Sequence, residues 1–318
     1  MHGINLALLR NESGSAVLLT IMIASIIITV GLGFNWIIKE HIKTAGALKD
    51  KSEAMILAES SFDTSMFAIL TGKLTQDGVA FTDDSLLGAS QIIANGSPLW
   101  VNENIILRLQ DANGMVSLAA NGNTLTDNSA SDLKKLINTI APGKNADEIV
   151  DCINDWIDPD DLVRTNGAES DYYRMIGAPY QPRNFHLQYL EEILLVKGMD
   201  IQLFNKLKPF ITMLRNEGFN VNTAKPELIV AHYGLSSDVI EPLRQHMKTN
   251  TTTGAMEALN QIGVDTLSFS GTQARPTEFF EITLAVRSGE SLYHIKSGIS
   301  IRDTTGFSPH SVYYWKEG

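Results

Sequence analysis

The sequence predicts an α+β fold in which a long N-terminal helix packs on an antiparallel sheet, and in which a large all-α insertion interrupts the sheet. Three patterns support this prediction. An uncharged apolar run over residues 15–38 leads into an amphipathic helical repeat. Apolar and polar residues alternate over residues 105–118 and again over residues 279–303, as in half-buried strands. Between these strands, residues 131–262 show helical periodicity broken by glycine turns.

The N-terminal helix is predicted to cross a membrane. Residues 15–38 carry no charge, and a helix of that length spans roughly 36 Å, against a hydrocarbon core of about 30 Å. A core helix of a soluble protein would normally show a polar stripe along one side. Beyond Lys39 the repeat continues, with apolar residues that include Ala54, Ala58 and Phe62. We therefore expect one helix over residues 15–72, with residues 15–38 in the membrane.

A short polar segment, MHGINLALLRNESG, precedes the apolar run and ends in Gly14. A secretory signal and a simple anchor are two interpretations, but the apolar run is too long for a secretory signal. The segment resembles a type IV prepilin-like leader over residues 1–14. That resemblance implies cleavage between Gly14 and Ser15, on the cytoplasmic side, by a prepilin peptidase. Ser13 departs from this pattern, because most such leaders have a basic residue close to the glycine.

Two hairpins are predicted in the sheet. The first surrounds Asp111–Gly114, and the second surrounds residues 288–290; both turns are flanked by alternating apolar residues. Residues 72–98, rich in Gly, Asp and Ser, are expected to form a loop. We place the α/β domain at residues 73–125 and 265–318, and the inserted helical domain at residues 126–264.

The insertion is predicted to consist of helical hairpins. The expected helices cover residues 133–140, 146–156, 187–196, 201–207, 226–233 and 238–247. Helical hairpins can bind the DNA backbone, but that use needs a second hairpin glycine and basic residues, where this chain has Asp200 and Asp238. The net charge of −11 also disfavours nucleic acid as a partner. We expect the hairpins to serve structure or protein contact.

An acidic segment follows the second predicted helix of the insertion. Its six carboxylates are Asp155, Asp158, Asp160, Asp161, Glu169 and Asp171, and within the segment only Arg164 opposes them. Calcium takes six to eight oxygen ligands and suits such a loop, although the spacing is not that of an EF-hand. A solvated acidic surface is the other interpretation. A hydrolase with two carboxylates lacks a nearby histidine, and we expect no enzymatic activity.

The same segment, DWIDPDDLVRTNGAESDYY (residues 155–173), resembles the signature of the K-type minor pseudopilins of bacterial type II secretion systems, the general secretion pathway protein K family. The resemblance extends to residues 106–118, 189–200 and 219–229. Most pilin-like proteins have a glutamate at the fifth mature position, where this chain has Leu19, and K-type pseudopilins lack that glutamate.

The resemblance implies a pilin-like fold anchored in the bacterial inner membrane, with the folded part in the periplasm. It implies that the protein occupies the tip of a pseudopilus and supports export of folded proteins across the outer membrane. The implied partners are the I-type and J-type minor pseudopilins and the major pseudopilin, and calcium is implied in the helical domain. The alternative function is that of a minor pilin in a type IV pilus or a related fibre.

Overall fold

The computed structural model describes residues 13–121, 123–249, 254–266, 272–273, 275–301 and 309–318. The first helix, α1 (Ser13–Thr71), is 59 residues long, which confirms the predicted long N-terminal helix. Every side chain over residues 16–49 is exposed. By length and composition this helix could cross a membrane, with a mean hydropathy of 2.5 in its most apolar window.

The second half of α1 packs on the sheet. Its buried side chains form the predicted stripe of Ala54, Ala58, Phe62, Met66 and Ile69. The two alanines are fully buried, and their small side chains allow the sheet to approach the helix backbone closely. The apolar residues of the stripe before residue 50, such as Ile42, are exposed instead. The amphipathic pattern therefore marks a packed face only over its second half.

The strands are β1 (Lys73–Leu74), β2 (Gly78–Ala80), β3 (Gln91–Ile93), β4 (Asn95–Asn102), β5 (Ile105–Asp111), β6 (Val116–Ser117), β7 (Ile211–Thr212), β8 (Phe219–Asn220), β9 (Thr272–Gln273), β10 (Phe279–Ser288), β11 (Ser291–Ser300) and β12 (Ser311–Glu317). Five of them form an antiparallel sheet in the order β12-β11-β10-β5-β4. Strands β1 to β3 form a small sheet of their own, so the prediction of a loop over residues 72–98 is wrong. Strands of two or three residues are too short to show a period in sequence.

The late hairpin is confirmed. Strands β10 and β11 pair from Phe279 with Ser300 to Ser288 with Ser291. The alternate residues of β10 from Phe280 to Val286 are fully buried against α1. Residues 302–303 of the predicted hairpin lie outside the described residues.

The hairpin turn also meets α1. The backbone N–H of Glu290 donates to Asp50 Oδ2 at 3.3 Å, and the Ser288 hydroxyl donates to Glu53 Oε2 at 3.2 Å. Gly289 has φ +54°, and a Cβ there would lie 2.1 Å from Asp50 Oδ2. This contact marks the point at which α1 leaves the folded body.

The early hairpin prediction is wrong. Strand β5 does not pair with β6; β5 forms a hairpin with β4, and β6 pairs in parallel with β7. A 3₁₀ turn (Ala112–Gly114) separates β5 from β6, and the Asp111 side chain caps this turn by accepting from Asn113 N. The alternating pattern identified a strand, but tertiary contacts decide which strand pairs with it.

The insertion contains α2 (Asp127–Ile140), α3 (Ala146–Ile157), α4 (Ser170–Met175), α5 (Ile201–Leu207), α6 (Pro226–Tyr233), α7 (Ile240–Thr249) and α8 (Gly254–Gln261). The helix predicted over residues 187–196 is a 3₁₀ helix (Leu190–Leu195). These helices enclose a hydrophobic core that is distinct from the core between α1 and the sheet. Val116 and Leu125, which precede α2, pack in the helical core.

A buried carboxylate joins the sheet to the insertion. Asp111, at the end of β5, accepts hydrogen bonds from Thr223 Oγ1 at 2.8 Å and from Asn220 Nδ2 at 3.1 Å. It also accepts from the backbone N–H of Thr277 at 2.9 Å. Burial raises the pKa of Asp111 to about 6, against the opposing effect of these donors. Asp111 therefore ties together three parts of the chain that are far apart in sequence.

Candidate metal centre in the acidic loop

Helix α3 places two carboxylates at its C-terminal end. Asn145 caps the start of the helix, with its side chain accepting from Glu148 N. At the other end, Asp155 lies in the last turn and Asp158 is the residue that follows the helix, where Pro159 prevents simple continuation. The C-terminus of a helix carries partial negative charge, so carboxylates at this end need a compensating cation.

Three of the six predicted carboxylates converge. The side chains of Asp155, Asp158 and Glu169 are almost completely buried, and one oxygen of each lies within 4.8 Å of the others. Glu169 precedes α4 and reaches the centre because the chain turns back after Asp158. We refer to these three side chains as the acidic centre.

The other three predicted residues lie outside the acidic centre and are exposed. Asp160 accepts a hydrogen bond from Leu162 N at 2.9 Å, and Asp161 accepts one from the Ser170 hydroxyl at 3.1 Å. Asp171 pairs with Arg174 at 2.9 Å. The density of acidic residues in the sequence therefore overestimates the number of carboxylates that can share one cation.

Arg164 is the only basic side chain that an ion pair joins to the acidic centre within the described residues. Its Nη1 atom lies 3.0 Å from Asp155 Oδ1 and 2.5 Å from Asp158 Oδ2. Its backbone N–H also donates to Asp155 Oδ2 at 3.3 Å. The residue thus holds the loop to the end of α3 through both its backbone and its side chain.

Gly167 allows the returning loop to lie against Asp155. A Cβ at residue 167 would be 1.8 Å from Asp155 Oδ2 and 2.7 Å from its Cγ. The Gly167 N–H donates to Arg164 O at 2.9 Å, which closes the turn. Any larger residue at this position would push the loop away from the acidic centre.

The charges of the acidic centre are not balanced. Burial, followed by the neighbouring Asp155 and Asp158 carboxylates, raises the pKa of Glu169 to about 8. Burial also raises the pKa of Asp158, while Arg164 opposes that effect. Both carboxylate oxygens of Glu169, and Asp158 Oδ1, are buried without a hydrogen-bond partner among the described residues.

Buried oxygens without donors are costly unless a cation binds them. Hard divalent cations prefer carboxylate oxygens as ligands. The residues present therefore fit a calcium ion. The sequence-based expectation of a purely solvated acidic surface does not describe these three side chains, because all of them are buried.

An aromatic cluster supports the loop from beneath. Trp156 and Tyr173 are buried with their ring centroids 5.6 Å apart, and Tyr180 lies against both rings. Tyr173 OH accepts a hydrogen bond from Lys197 N at 3.1 Å. Tyr172 contacts Tyr173 edge-on. Trp156, Tyr172 and Tyr173 lie within the acidic segment, whereas Tyr180 lies beyond it.

Asn184 is a further residue that the sequence did not indicate. It adopts a positive φ of 51°, and its side-chain amide donates to Asp160 O at 3.3 Å and to Asp161 Oδ1 at 3.4 Å. Its Oδ1 atom is buried without a partner among the described residues. No spacing rule links Asn184 to the acidic segment, so only the fold brings them together.

The predicted processing residues lie at the other end of the molecule. Residues 1–12 of the predicted leader lie outside the described residues. Gly14 and Ser15 fall in the first turn of α1, where the structure describes the backbone only. Leu19 is exposed on the free part of α1.

Part of the chain matches a known protein family. Residues 110–216 match the family model for type II secretion system (T2SS), protein K. The chain carries a type II secretion system protein K domain. This match includes the whole acidic centre and confirms, over these residues, the resemblance that the acidic segment indicated.

Relatives with the same name support this result. Type II secretion system protein K of Aeromonas hydrophila is 26% identical over 251 residues, which cover 70% of this chain and 72% of that protein. Protein K of Pectobacterium carotovorum is 26% identical over 48% of this chain, and protein K of Klebsiella pneumoniae is 29% identical over 47%. The chain spans about half the length of these last two relatives, 49% in each case.

The fold is also similar to a solved structure, the GspK-GspI-GspJ complex from the enterotoxigenic Escherichia coli type 2 secretion system. The TM-score is 0.54 at 18% identity, and the match covers 87% of this chain and 99% of the other. This chain therefore shares its α+β fold, with a long N-terminal helix and inserted helices, with a chain of that complex.

Proposed function

We propose that this protein is a minor pseudopilin at the tip of a type II secretion pseudopilus. There it assembles with I-type and J-type minor pseudopilins and supports export of folded proteins across the outer membrane. The protein K domain at residues 110–216 carries this proposal. Further support comes from the fold shared with a chain solved as part of a GspK-GspI-GspJ complex.

The free part of α1 supports a single-pass anchor in the inner membrane. Its exposed apolar surface over residues 16–38 would be costly in water and favourable in lipid. We propose that processing after Gly14 leaves Ser15 as the mature N-terminus, open to methylation, and that the folded body lies in the periplasm. The prepilin peptidase and the major pseudopilin are the further partners in this proposal.

The helical insertion supports the tip position. We propose that residues 126–264 form an inserted domain on an α/β domain made of residues 73–125 and 265–318. Some residues that precede α2, such as Val116, pack in the helical core. This packing favours placing the first boundary of the inserted domain nearer the end of β5. A body of this bulk at the end of α1 would prevent repeated stacking of this subunit along a fibre.

We propose that the acidic centre holds calcium through Asp155, Asp158 and Glu169. Bound calcium would neutralise the buried carboxylates and connect the end of α3 to the start of α4. Its role would be structural, because it would fix the loop that covers Trp156 and Tyr173. The buried, unpartnered oxygens of Glu169 support this proposal.

Capture of the full chain from membranes in mild detergent tests the assembly proposal. Antibody against the protein is expected to recover I-type and J-type minor pseudopilins, and membranes from a strain that lacks the chain provide the control. Recovery of subunits of a retractable type IV pilus instead would replace the proposal with a role as a minor pilin. Recovery of neither class would contradict both assignments.

A further inference from the structure

The guanidinium of Arg164 contacts two of the three carboxylates that would bind a cation at the acidic centre. One nitrogen, Nη1, contacts both Asp155 and Asp158, at 3.0 and 2.5 Å. The Arg164 side chain is 30% exposed, whereas both carboxylates are buried. Arg164 therefore reaches into the centre from the solvent side and has a route back to solvent.

The contacts of Arg164 are unevenly distributed. They place one positive charge against the two carboxylates at the end of α3. Neither oxygen of Glu169 has a hydrogen-bond partner among the described residues. A divalent cation bound by all three carboxylates would lie only a few Å from the guanidinium, because both would contact Asp155 and Asp158. Like charges at that separation repel strongly in a partly buried site.

We propose that Arg164 is a built-in competitor for the cation at the acidic centre. This inference rests on the proposal that the centre binds calcium. When calcium binds, the guanidinium gives up at least one of its two carboxylates and turns toward solvent. When calcium is scarce, the guanidinium returns and keeps the loop attached to α3.

Two consequences follow from the use of arginine at this position. Arginine stays protonated at any physiological pH, so the competing positive charge is present throughout that range. The calcium affinity of the centre is also set below the value that three buried carboxylates would give without a competing charge. The loop gains the ability to stay closed without the ion.

The experiment compares the full chain with Arg164→Gln and Arg164→Lys in detergent. Terbium is bound first, with its luminescence sensitised by Trp156, and calcium is then titrated in to displace it. Arg164→Gln is expected to bind calcium at least about tenfold more tightly than the wild type, because one repelling charge is gone. Arg164→Lys is expected to fall between them, because it keeps the charge and loses the planar geometry.

Thermal unfolding supplies a second measurement. With chelator present, Arg164→Gln is expected to melt below the wild type, and millimolar calcium is expected to raise its Tm by more than it raises that of the wild type. If Arg164→Gln does not fold with chelator, the calcium affinity of Arg164→Lys relative to the wild type decides the question. Calcium affinity equal to or weaker than that of the wild type in the folded variants would overturn the competitor role.

Failure of the calcium proposal itself has a different signature. In that case neither the wild type nor Arg164→Gln would bind calcium or terbium, although both would fold. Glu169→Gln serves as the control, because it removes a proposed ligand and leaves both contacts of Arg164 in place. Its binding of calcium is expected to be lost whether or not Arg164 competes.

Discussion

Thr223 donates a hydrogen bond of 2.8 Å from its hydroxyl to the buried carboxylate of Asp111, although 112 residues separate them in sequence. Asp111 ends a strand of the main sheet, and Thr223 lies just before helix α6 of the insertion. Together with Asn220 and Thr277, they form a polar junction between the two hydrophobic cores. The stability of the whole molecule should therefore depend on the charge of one side chain.

Asp111→Asn tests this junction through pH. Because burial raises the pKa of Asp111 to about 6 in the folded state, from 3.8, the folded state binds the proton more tightly than the unfolded state. The contribution of Asp111 to stability is therefore greatest below about pH 4, and it decreases by the order of 3 kcal/mol as the pH rises to 6. Denaturant unfolding of both proteins between pH 4 and 7 measures the difference.

Asp111→Asn cannot titrate, so the stability of the wild type relative to the variant should fall over that range. A difference between the two proteins that stays constant from pH 4 to 7 would contradict the raised pKa.

Gly167→Ala should disrupt the acidic loop. Its Cβ would overlap the Asp155 carboxylate, so the loop must shift at a cost of about 1–3 kcal/mol. Gly143→Ala is the matched control, since a Cβ at residue 143 meets no atom within 4 Å. Thermal melts should show a loss only for Gly167→Ala, and equal melts for the two variants would contradict the close approach.

Calcium should stabilise the folded part of the protein through Glu169. Calcium should raise the Tm of the wild type, and magnesium should do so poorly because it demands a smaller octahedral shell. Glu169→Gln should lose the calcium effect, and with chelator it should equal or exceed the wild type, because a neutral amide replaces a buried carboxyl group that is costly to ionise. Asp171→Ala, at an exposed position, is the control. A wild-type Tm that does not respond to calcium would contradict calcium binding at the acidic centre.

Gly14→Asp should block processing. A charged, branched side chain cannot replace glycine next to the cut, so the unprocessed form should accumulate in membranes. N-terminal sequencing of the wild type should begin at Ser15. A wild-type protein that begins beyond Ile38 would show an ordinary cleaved signal and remove the membrane anchor.

Leu19→Glu should insert into the membrane but perturb tip assembly. In fibre subunits that have a glutamate at this position, it can neutralise the N-terminal amine of a neighbour in lipid, where an unpaired charge is costly. At the tip no neighbour should need that partner, so the added carboxylate should remain uncompensated. Recovery of partner pseudopilins and secretion measure the effect, and wild-type values for both would show that residue 19 does not mark the tip.

Local periodicity accounts for most of what the sequence predicted correctly. Helix α1, the β10–β11 hairpin and helices α2 and α3 each show a regular repeat of apolar residues, and the structure contains all of them. The partner of β5 was predicted wrongly, because the cap that Asp111 forms directs the chain out of the sheet after that strand. Pairing of this kind depends on contacts with residues far along the chain.

The candidate site was likewise predictable where the signal is local and not where it depends on residues far apart. Carboxylate density located the acidic segment, but only the fold shows that Asp155, Asp158 and Glu169 meet while Asp160, Asp161 and Asp171 face solvent. The split between buried and exposed carboxylates depends on Gly167, which lets the loop return against Asp155. Asn184 lies outside the acidic segment and was not found from the sequence, because only the fold brings it to this loop.

The contact between the β10–β11 turn and Asp50 defines a strut. This strut consists of residues 39–49 of α1, which are exposed and as a helix measure about 16 Å. With the proposed anchor in place, the folded body would be held at a fixed height above the lipid surface. Because this strut is continuous with the helix on both sides, a rotation or axial push applied within the membrane would reach the body at the turn around Gly289 as the same motion.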